Sequence, residues 1–235
     1  LMDPTETRRG DGPQILLVNL WIYDFAAYNL WTRPLGLLYI AAVLRENGYR
    51  VNLLDCLDVQ NGDPVPGGAR NRFGCGKFPK TVLPKPAAYR EIPRRYGRYG
   101  IPEKNFLDVL SNLAPVAAIL VTSGMTYWYP GVFRAIELLR AHLPDTPVLL
   151  GGIYATLCAS HARERSGADL VIGGPGEAAA LQAVDLICGL RSDLPDIENL
   201  DELPFPAFDL YGRSGYACLL TSRGCPRACT YCASR

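Results

Sequence analysis

The sequence predicts an α/β protein built on a doubly wound parallel sheet, and two observations predict it. From Gln14 to Leu190, short apolar runs of strand length alternate with amphipathic stretches of helix length. The apolar runs are continuous rather than alternating, the pattern of strands covered by helices on both faces. With 235 residues, 49% of them hydrophobic and 20% charged, the chain can bury one large core, or one core and part of another.

The elements follow in order. Gln14-Ile15-Leu16-Leu17-Val18-Asn19-Leu20 reads as a buried strand, and Pro34 to Asn47 as a helix that Gly48 stops. Val51 to Asp55 is a second strand. Ala117 to Thr122 is a third, with a helix from about Pro130 to His142. Pro147 to Leu150 is a fourth, with a helix from Ala155 to Arg165. Asp169 to Ile172 is a fifth, with a helix from Glu177 to about Cys188. Five such strands between helices read as a flavodoxin-like domain over 14–190, preceded by a polar tail over 1–13. Residues 191–215, rich in Asp, Pro and Gly, read as a linker. Tyr216 to Thr221 then reads as a new strand opening a further domain over 216–235.

A long interruption, 56–102, separates the second strand from the third and carries seven prolines. Its basic residues include Arg70, Arg72, Lys77, Lys80, Lys85, Arg90, Arg94, Arg95 and Arg98. It reads either as an anion-binding or substrate-covering insertion or as a solvated surface loop packed on the rest of the protein. Phe73-Gly74-Cys75-Gly76-Lys77 within it reads as an exposed, low-pKa thiol, a ligand or radical relay, or a turn with an incidental cysteine.

The formal net charge is +1, so no global field draws the chain to nucleic acid or an anionic membrane, and a nucleic-acid partner enters only through the basic insertion. No apolar run is long enough to span a bilayer, and the first residues carry no signal-peptide core, so a cytoplasmic protein without membrane partners is expected. Reduced thiols are then expected, with Cys158, Cys188 and Cys218 as packing residues.

Chemistry concentrates in Cys225-Pro226-Arg227-Ala228-Cys229-Thr230-Tyr231-Cys232, a C-x3-C-x2-C run with an aromatic before its last cysteine. Three clustered thiolates suit iron–sulfur or zinc, and they are one ligand short of a closed four-thiolate site. No second Cys or Cys/His pair follows to complete a zinc tetrahedron; His142 and His161 lie far upstream. Arg223 precedes the run and Arg227 lies within it, either as partners for its charge or as ordinary surface residues.

The run resembles the signature of the radical S-adenosylmethionine superfamily. The resemblance implies a 4Fe-4S cluster on Cys225, Cys229 and Cys232, with Tyr231 against the nucleoside of S-adenosylmethionine. It also implies reductive cleavage of that cofactor to a radical that activates a substrate carbon, fed by an external electron donor of flavodoxin or ferredoxin type. Tyr216 to Thr221 would be the first strand of a partial (β/α) barrel with the cluster loop at its carboxyl end. The chain stops three residues past Cys232, so it reads as the N-terminal part of a longer protein, inactive alone, with the three cysteines exposed.

In an open parallel sheet, ligands bind beyond the carboxyl ends of strands, at the switch in strand order. The loops there are rich in glycine and aromatics, and ahead of the cysteine run they resemble the cobalamin-binding domain of cobalamin-dependent radical S-adenosylmethionine enzymes. That resemblance implies cobalamin contacts from Tyr23, Asp24, Ser123, Gly151, Gly152, Thr156, Gly174, Gly176 and Glu177, and methyl transfer as the reaction. Many cobalamin proteins carry D-x-H-x-x-G after the first strand; here Phe25, Ala26 and Ala27 follow Asp24, so the axial histidine is absent. Cobalamin held without protein histidine and loss of cobalamin both fit this departure. The aromatics Trp21, Tyr23, Tyr127 and Trp128 read equally as interface filler. Two further readings stand beside the leading one: a radical enzyme that modifies RNA or ribosomal protein, and a non-enzymatic binding module with a structural metal tail.

Overall fold

A computed structural model describes residues 11–30, 32–58, 75–211, 216–227, 229–230 and 232. In chain order the elements are β1 (Gln14–Asn19), β2 (Ile22–Asp24), β3 (Tyr28–Asn29), α1 (Leu35–Glu46), β4 (Arg50–Asp55), β5 (Gly76–Lys77), β6 (Lys80–Val82) and β7 (Gly97–Tyr99). They continue with α2 (Glu103–Ser111), β8 (Ala118–Ser123), α3 (Tyr129–His142), β9 (Val148–Gly152), α4 (Ile153–Leu157), α5 (Ala159–Arg165), β10 (Leu170–Val171) and α6 (Glu177–Cys188).

Five strands form one parallel sheet in the order β10-β9-β8-β1-β4. Counted along the chain this is 2-1-3-4-5, the order of doubly wound sheets whose switch point lies between the first and third strands. Continuous burial follows from the period of two. Leu16 and Val18 of β1 face one core with Ile119, Val121, Val148 and Leu150, covered by Ile136 and Leu139 of α3 and Phe106 and Leu110 of α2. Ile15 and Leu17 face the other core with Leu120 and Leu149, covered by Leu37, Ala41 and Leu44 of α1 and Leu181 and Val184 of α6. Gly48, at φ +87, ends α1 in the left-handed region, as expected of its stop.

Four features depart from the sequence reading. The helix expected over 155–165 is two, because Cys158 (φ −122, ψ 42) leaves helical backbone between α4 and α5. The helix α2 was not expected, although Phe106, Leu107 and Leu110 follow Glu103 at helical spacing; the proline-rich stretch before it obscures the period. The expected linker packs on the α1 face, where Leu203 and Ala207 join the core and the Ala207 N–H donates to the Leu38 carbonyl at 3.1 Å. The strand expected at Tyr216 to Thr221 is absent from the described residues, because an extended segment becomes a strand only beside a partner backbone.

The described part of the insertion is built rather than loose. β6 and β7 form an antiparallel pair, and β7 pairs with β2, the continuation of the first βα loop. β5 pairs with β3 in the same loop. Buried Arg98 of β7 and Arg134 of α3 both bond Glu103, so ion pairs tie this annex to the main domain. Arg70, Arg72 and Phe73-Gly74 lie outside the described residues.

Candidate functional site at the carboxyl edge of the sheet

Strand ends determine what can meet here. Asn19 and Asp55 end the paired strands β1 and β4, and the Asn19 Nδ2 donates to Asp55 Oδ1 at 2.7 Å. The fully buried Asp55 carboxylate also accepts from the Leu57 N–H at 2.8 Å and from the Tyr211 hydroxyl at 2.6 Å. Burial pushes its pKa up, and these hydrogen bonds work against that rise. Beside it, Arg33, 5% exposed, lies 3.8 Å from the centre of the Tyr211 ring and 5.3 Å from that of Tyr216, and 3.7 Å from Asp58. Its Nε, buried, has no hydrogen-bond partner among the described residues. Tyr211 and Tyr216 bracket residues 212–215, so Arg33 and Asp55 moor both ends of the segment that leads to the cysteines.

The candidate residues occupy four loops at the strand ends. Tyr23 is buried under the sheet edge, edge-on to Tyr96, and burial raises its pKa with Arg98 opposing. Asp24 bonds the Phe25 N–H at 2.6 Å and accepts from the Trp128 Nε1 at 3.3 Å, bridging the loops after β1 and β8. Trp21 is likewise buried, its Nε1 donating to the Ile101 carbonyl at 2.7 Å, whereas Tyr127 is 45% exposed. Ser123 is buried and donates to the Met125 carbonyl at 3.1 Å.

Gly152 has φ +88, and a Cβ there would lie 2.6 Å from the Ser123 carbonyl oxygen, so only glycine closes the β8–β9 approach. The Thr156 hydroxyl donates to the Gly152 carbonyl at 2.9 Å and accepts from the Gly174 N–H at 3.0 Å, joining the loops after β9 and β10. A Cβ on Gly174 would meet nothing within 4 Å, and one on Gly151 only the Ile172 oxygen at 3.9 Å, so this edge is open to a large ligand. Gly176 touches Ile40 closely at the start of α6. The edge therefore suits a bulky, flat ligand by its glycines and aromatics. A cavity of about 370 Å³ lies elsewhere, between the end of α1 and the 193–204 segment, with Glu46, Asp193, Asp196 and Glu202 in its wall.

Glu177, 3% exposed, holds the guanidinium of Arg223 in an ion pair. Arg223 stands two residues before Cys225, so the cysteine segment is tied back to the carboxyl edge. Cys225 is exposed, but Cys229 and Cys232 are half-buried, against the expectation that all three are exposed. A turn joins the last two, the Cys232 N–H donating to the Cys229 carbonyl at 3.2 Å. Three thiols fit an iron–sulfur cluster as a donor set. Among the described residues, however, no three His, Cys, Asp or Glu side chains gather closely enough to hold a metal ion. Tyr231 lies outside the described residues. Cys75 is 4% exposed, which removes the exposed-thiol reading: pairing of Asn29 with Gly76 folds its segment inward.

No protein-family profile matches the chain. Curated proteins do. Over 289 aligned positions it is 24% identical to cytidylyl-2-hydroxyethylphosphonate methyltransferase of Streptomyces wedmorensis, covering 97% of this chain and 48% of that protein. Over 102 positions it is 31% identical to tRNA-2-methylthio-N(6)-dimethylallyladenosine synthase of Klebsiella pneumoniae, covering 41% and 21%. Over 229 positions it is 25% identical to anaerobic magnesium-protoporphyrin IX monomethyl ester cyclase of Synechocystis, covering 86% and 38%. All three are radical S-adenosylmethionine enzymes. The similarities support a relationship to that superfamily. The chain spans about half or less of the length of these relatives. Among the described residues no helix is long and apolar enough to cross a membrane.

Two networks escaped the sequence reading. The Arg33–Tyr211–Asp55 mooring joins residues up to 178 positions apart, and no spacing rule connects them. Asp55 alone carried a signal, as a carboxylate ending a buried strand. The Arg98–Glu103–Arg134 network rests on α2, which was itself missed.

Proposed function

We propose that this chain works within a radical S-adenosylmethionine enzyme, supplying a cobalamin-binding-type domain and the cysteine segment that holds the cluster. The observation that supports the reading is the ion pair between Arg223, two residues before Cys225, and Glu177 at the glycine-lined carboxyl edge of a 2-1-3-4-5 sheet. Cys225, Cys229 and Cys232 would hold the 4Fe-4S cluster, and Tyr231 would lie against S-adenosylmethionine. When bound, the cluster supplies the electron for radical chemistry at a substrate carbon; an external donor of flavodoxin or ferredoxin type would replenish it.

The loops at Tyr23–Asp24, Ser123, Gly151–Thr156 and Gly174–Glu177 would form the floor beneath cobalamin, with methyl transfer as the reaction. The residues here position rather than react. Gly152 lets β9 approach β8, Thr156 locks two loops together, and Glu177 orients Arg223. The similarity to a phosphonate methyltransferase over 97% of the chain supports this choice among radical reactions.

The test is the iron, sulfide and cobalt content of the anaerobically purified protein, with Cys225, Cys229 and Cys232 each changed to Ala. About four iron and four sulfide per chain, lost in the variants, are expected. Cobalt alongside them supports the cobalamin reading. Zinc without sulfide overturns the radical reading and leaves a binding module with a structural metal.

A further inference from the structure

Charge is segregated in this chain. Residues 75–102 hold seven basic side chains and one acid, Glu91, a net +6 in a protein whose formal total is +1, so everything outside them carries a net −5. Arg98 is spent internally, buried against Glu103. The other six are exposed: Lys77, Lys80, Lys85, Arg90, Arg94 and Arg95. None of the six takes part in an ion pair among the described residues.

The fold concentrates them. β6 and β7 pair antiparallel, and the Leu83 N–H bonds the Tyr96 carbonyl at 3.1 Å, so residues 83–96 form the cap of one hairpin. Lys85, Arg90, Arg94 and Arg95 stand in that cap, and Lys80 stands at its base. The Lys85 ammonium donates to the Ile92 carbonyl at 2.6 Å, and that of Lys80 to the Phe25 carbonyl at 3.1 Å and to the Arg95 carbonyl. These bonds fix the cap while leaving both charges without a counter-carboxylate. Tyr89 and Tyr96 of the cap pack edge-on or tilted against Phe25 and each other, with ring centres 5.4–6.0 Å apart. Beside it Tyr28, 51% exposed, lies opposite Lys77 in the β3–β5 pair.

A scattered solvated charge needs no partner, but six exposed cations, five on one hairpin and its base and Lys77 three residues before it, repel one another and favour a polyanion. All six are exposed and none of them lines the cavity, which suits an extended phosphate backbone better than a small anion. The exposed Tyr28 ring beside Lys77 offers a face on which an unpaired base can stack.

We propose that the hairpin cap over 83–96, with Lys80 at its base and Lys77 and Tyr28 of the β3–β5 pair, binds single-stranded nucleic acid through its phosphates. This inference is independent of the cluster and of cobalamin.

The test uses the whole polypeptide and a fluorescein-labelled 15-nucleotide oligouridylate, with anisotropy followed from low to physiological salt. Six engaged cations give a slope of log Kobs against log salt of about −4, at about −0.7 per phosphate neutralised on a single strand. The triple variant R90Q/R94Q/R95Q should fold normally, since these side chains make no hydrogen bond or ion pair with another described residue, and its slope should fall to about −2. The control variant R163Q/R165Q removes exposed charge from α5 and should bind as the parent does. Tyr28→Ala should weaken binding several-fold without changing the slope. The proposal is overturned by absence of binding, by an unchanged slope in the triple variant, or by an equal loss in the control. It is equally overturned if the hairpin variants lose binding to vesicles of anionic lipid while the parent never binds the oligonucleotide.

Discussion

Changing Tyr211 to Phe removes one oxygen and tests whether Asp55 is the mooring point of the segment that leads to the cysteines. The hydroxyl donates to Asp55 Oδ2 at 2.6 Å, and the tyrosine and the carboxylate are 4% and 9% exposed. The ring stays, and with it the stacking of Arg33 at 3.8 Å, so the variant isolates the hydrogen bond. A hydrogen bond to a buried charged group contributes about 1.5–3 kcal/mol. A loss of about 2 kcal/mol is expected, which lowers Tm by about 4–8 °C in a domain of this size. The effect must also depend on pH. Asp55's pKa is raised by burial above the ordinary 3.8, so its ionisation destabilises the native state as pH rises from that value through the folded one. The Tyr211 bond opposes that rise; without it the pKa climbs further. The difference in urea midpoint between parent and variant should therefore be small below the ordinary aspartate value, grow as pH rises, and level off above the folded value. Equal stability at neutral pH, or a difference that grows toward acid, refutes the mooring.

Other outcomes follow from the same contacts. Gly152→Ala places a Cβ 2.6 Å from the Ser123 oxygen at φ +88 and should cost about 2–4 kcal/mol in urea unfolding; a cost below about 1 kcal/mol would mean the β8–β9 approach is adjustable. Glu103 has its pKa lowered by the Arg134 hydrogen bonds, against burial and with help from Arg98. Its stabilisation is present above the ordinary value of 4.5 and is lost as pH falls through the folded one, so Glu103→Gln should be less stable than the parent at pH 7 and converge with it in acid. Arg223→Gln unties the cysteine segment from Glu177, and chymotrypsin should then cleave after Leu219 or Leu220 several-fold faster; an unchanged rate would show that the ion pair does not hold the segment.

The sequence determined what depends on near neighbours. Apolar runs marked all five strands of the main sheet, and most clearly the central β1, β8 and β9, because a strand buried on both faces needs no polar alternation. Gly48 marked the end of α1 because only a residue tolerant of φ +87 closes that turn cheaply. The cysteine run could be read because a metal dictates ligand spacing within one short segment.

Tertiary structure alone decided what depends on pairing across the chain. The order 2-1-3-4-5 places β1 between β4 and β8, which no local pattern specifies. The insertion read as a loop because its strands are two or three residues long and form only against one another or against β2 and β3. Cys75, between two glycines, could be read as an exposed thiol, a ligand or relay, or part of a turn; the β3–β5 pairing buries it. Tyr216 to Thr221 has the composition of a strand but forms none among the described residues, since composition does not bring a partner strand alongside. Asp55 meets Tyr211 across 156 residues, and Glu177 meets Arg223 across 46. Such contacts follow from the closure of long loops by the whole core, while periodicity reports only the few residues that share one turn or one pleat.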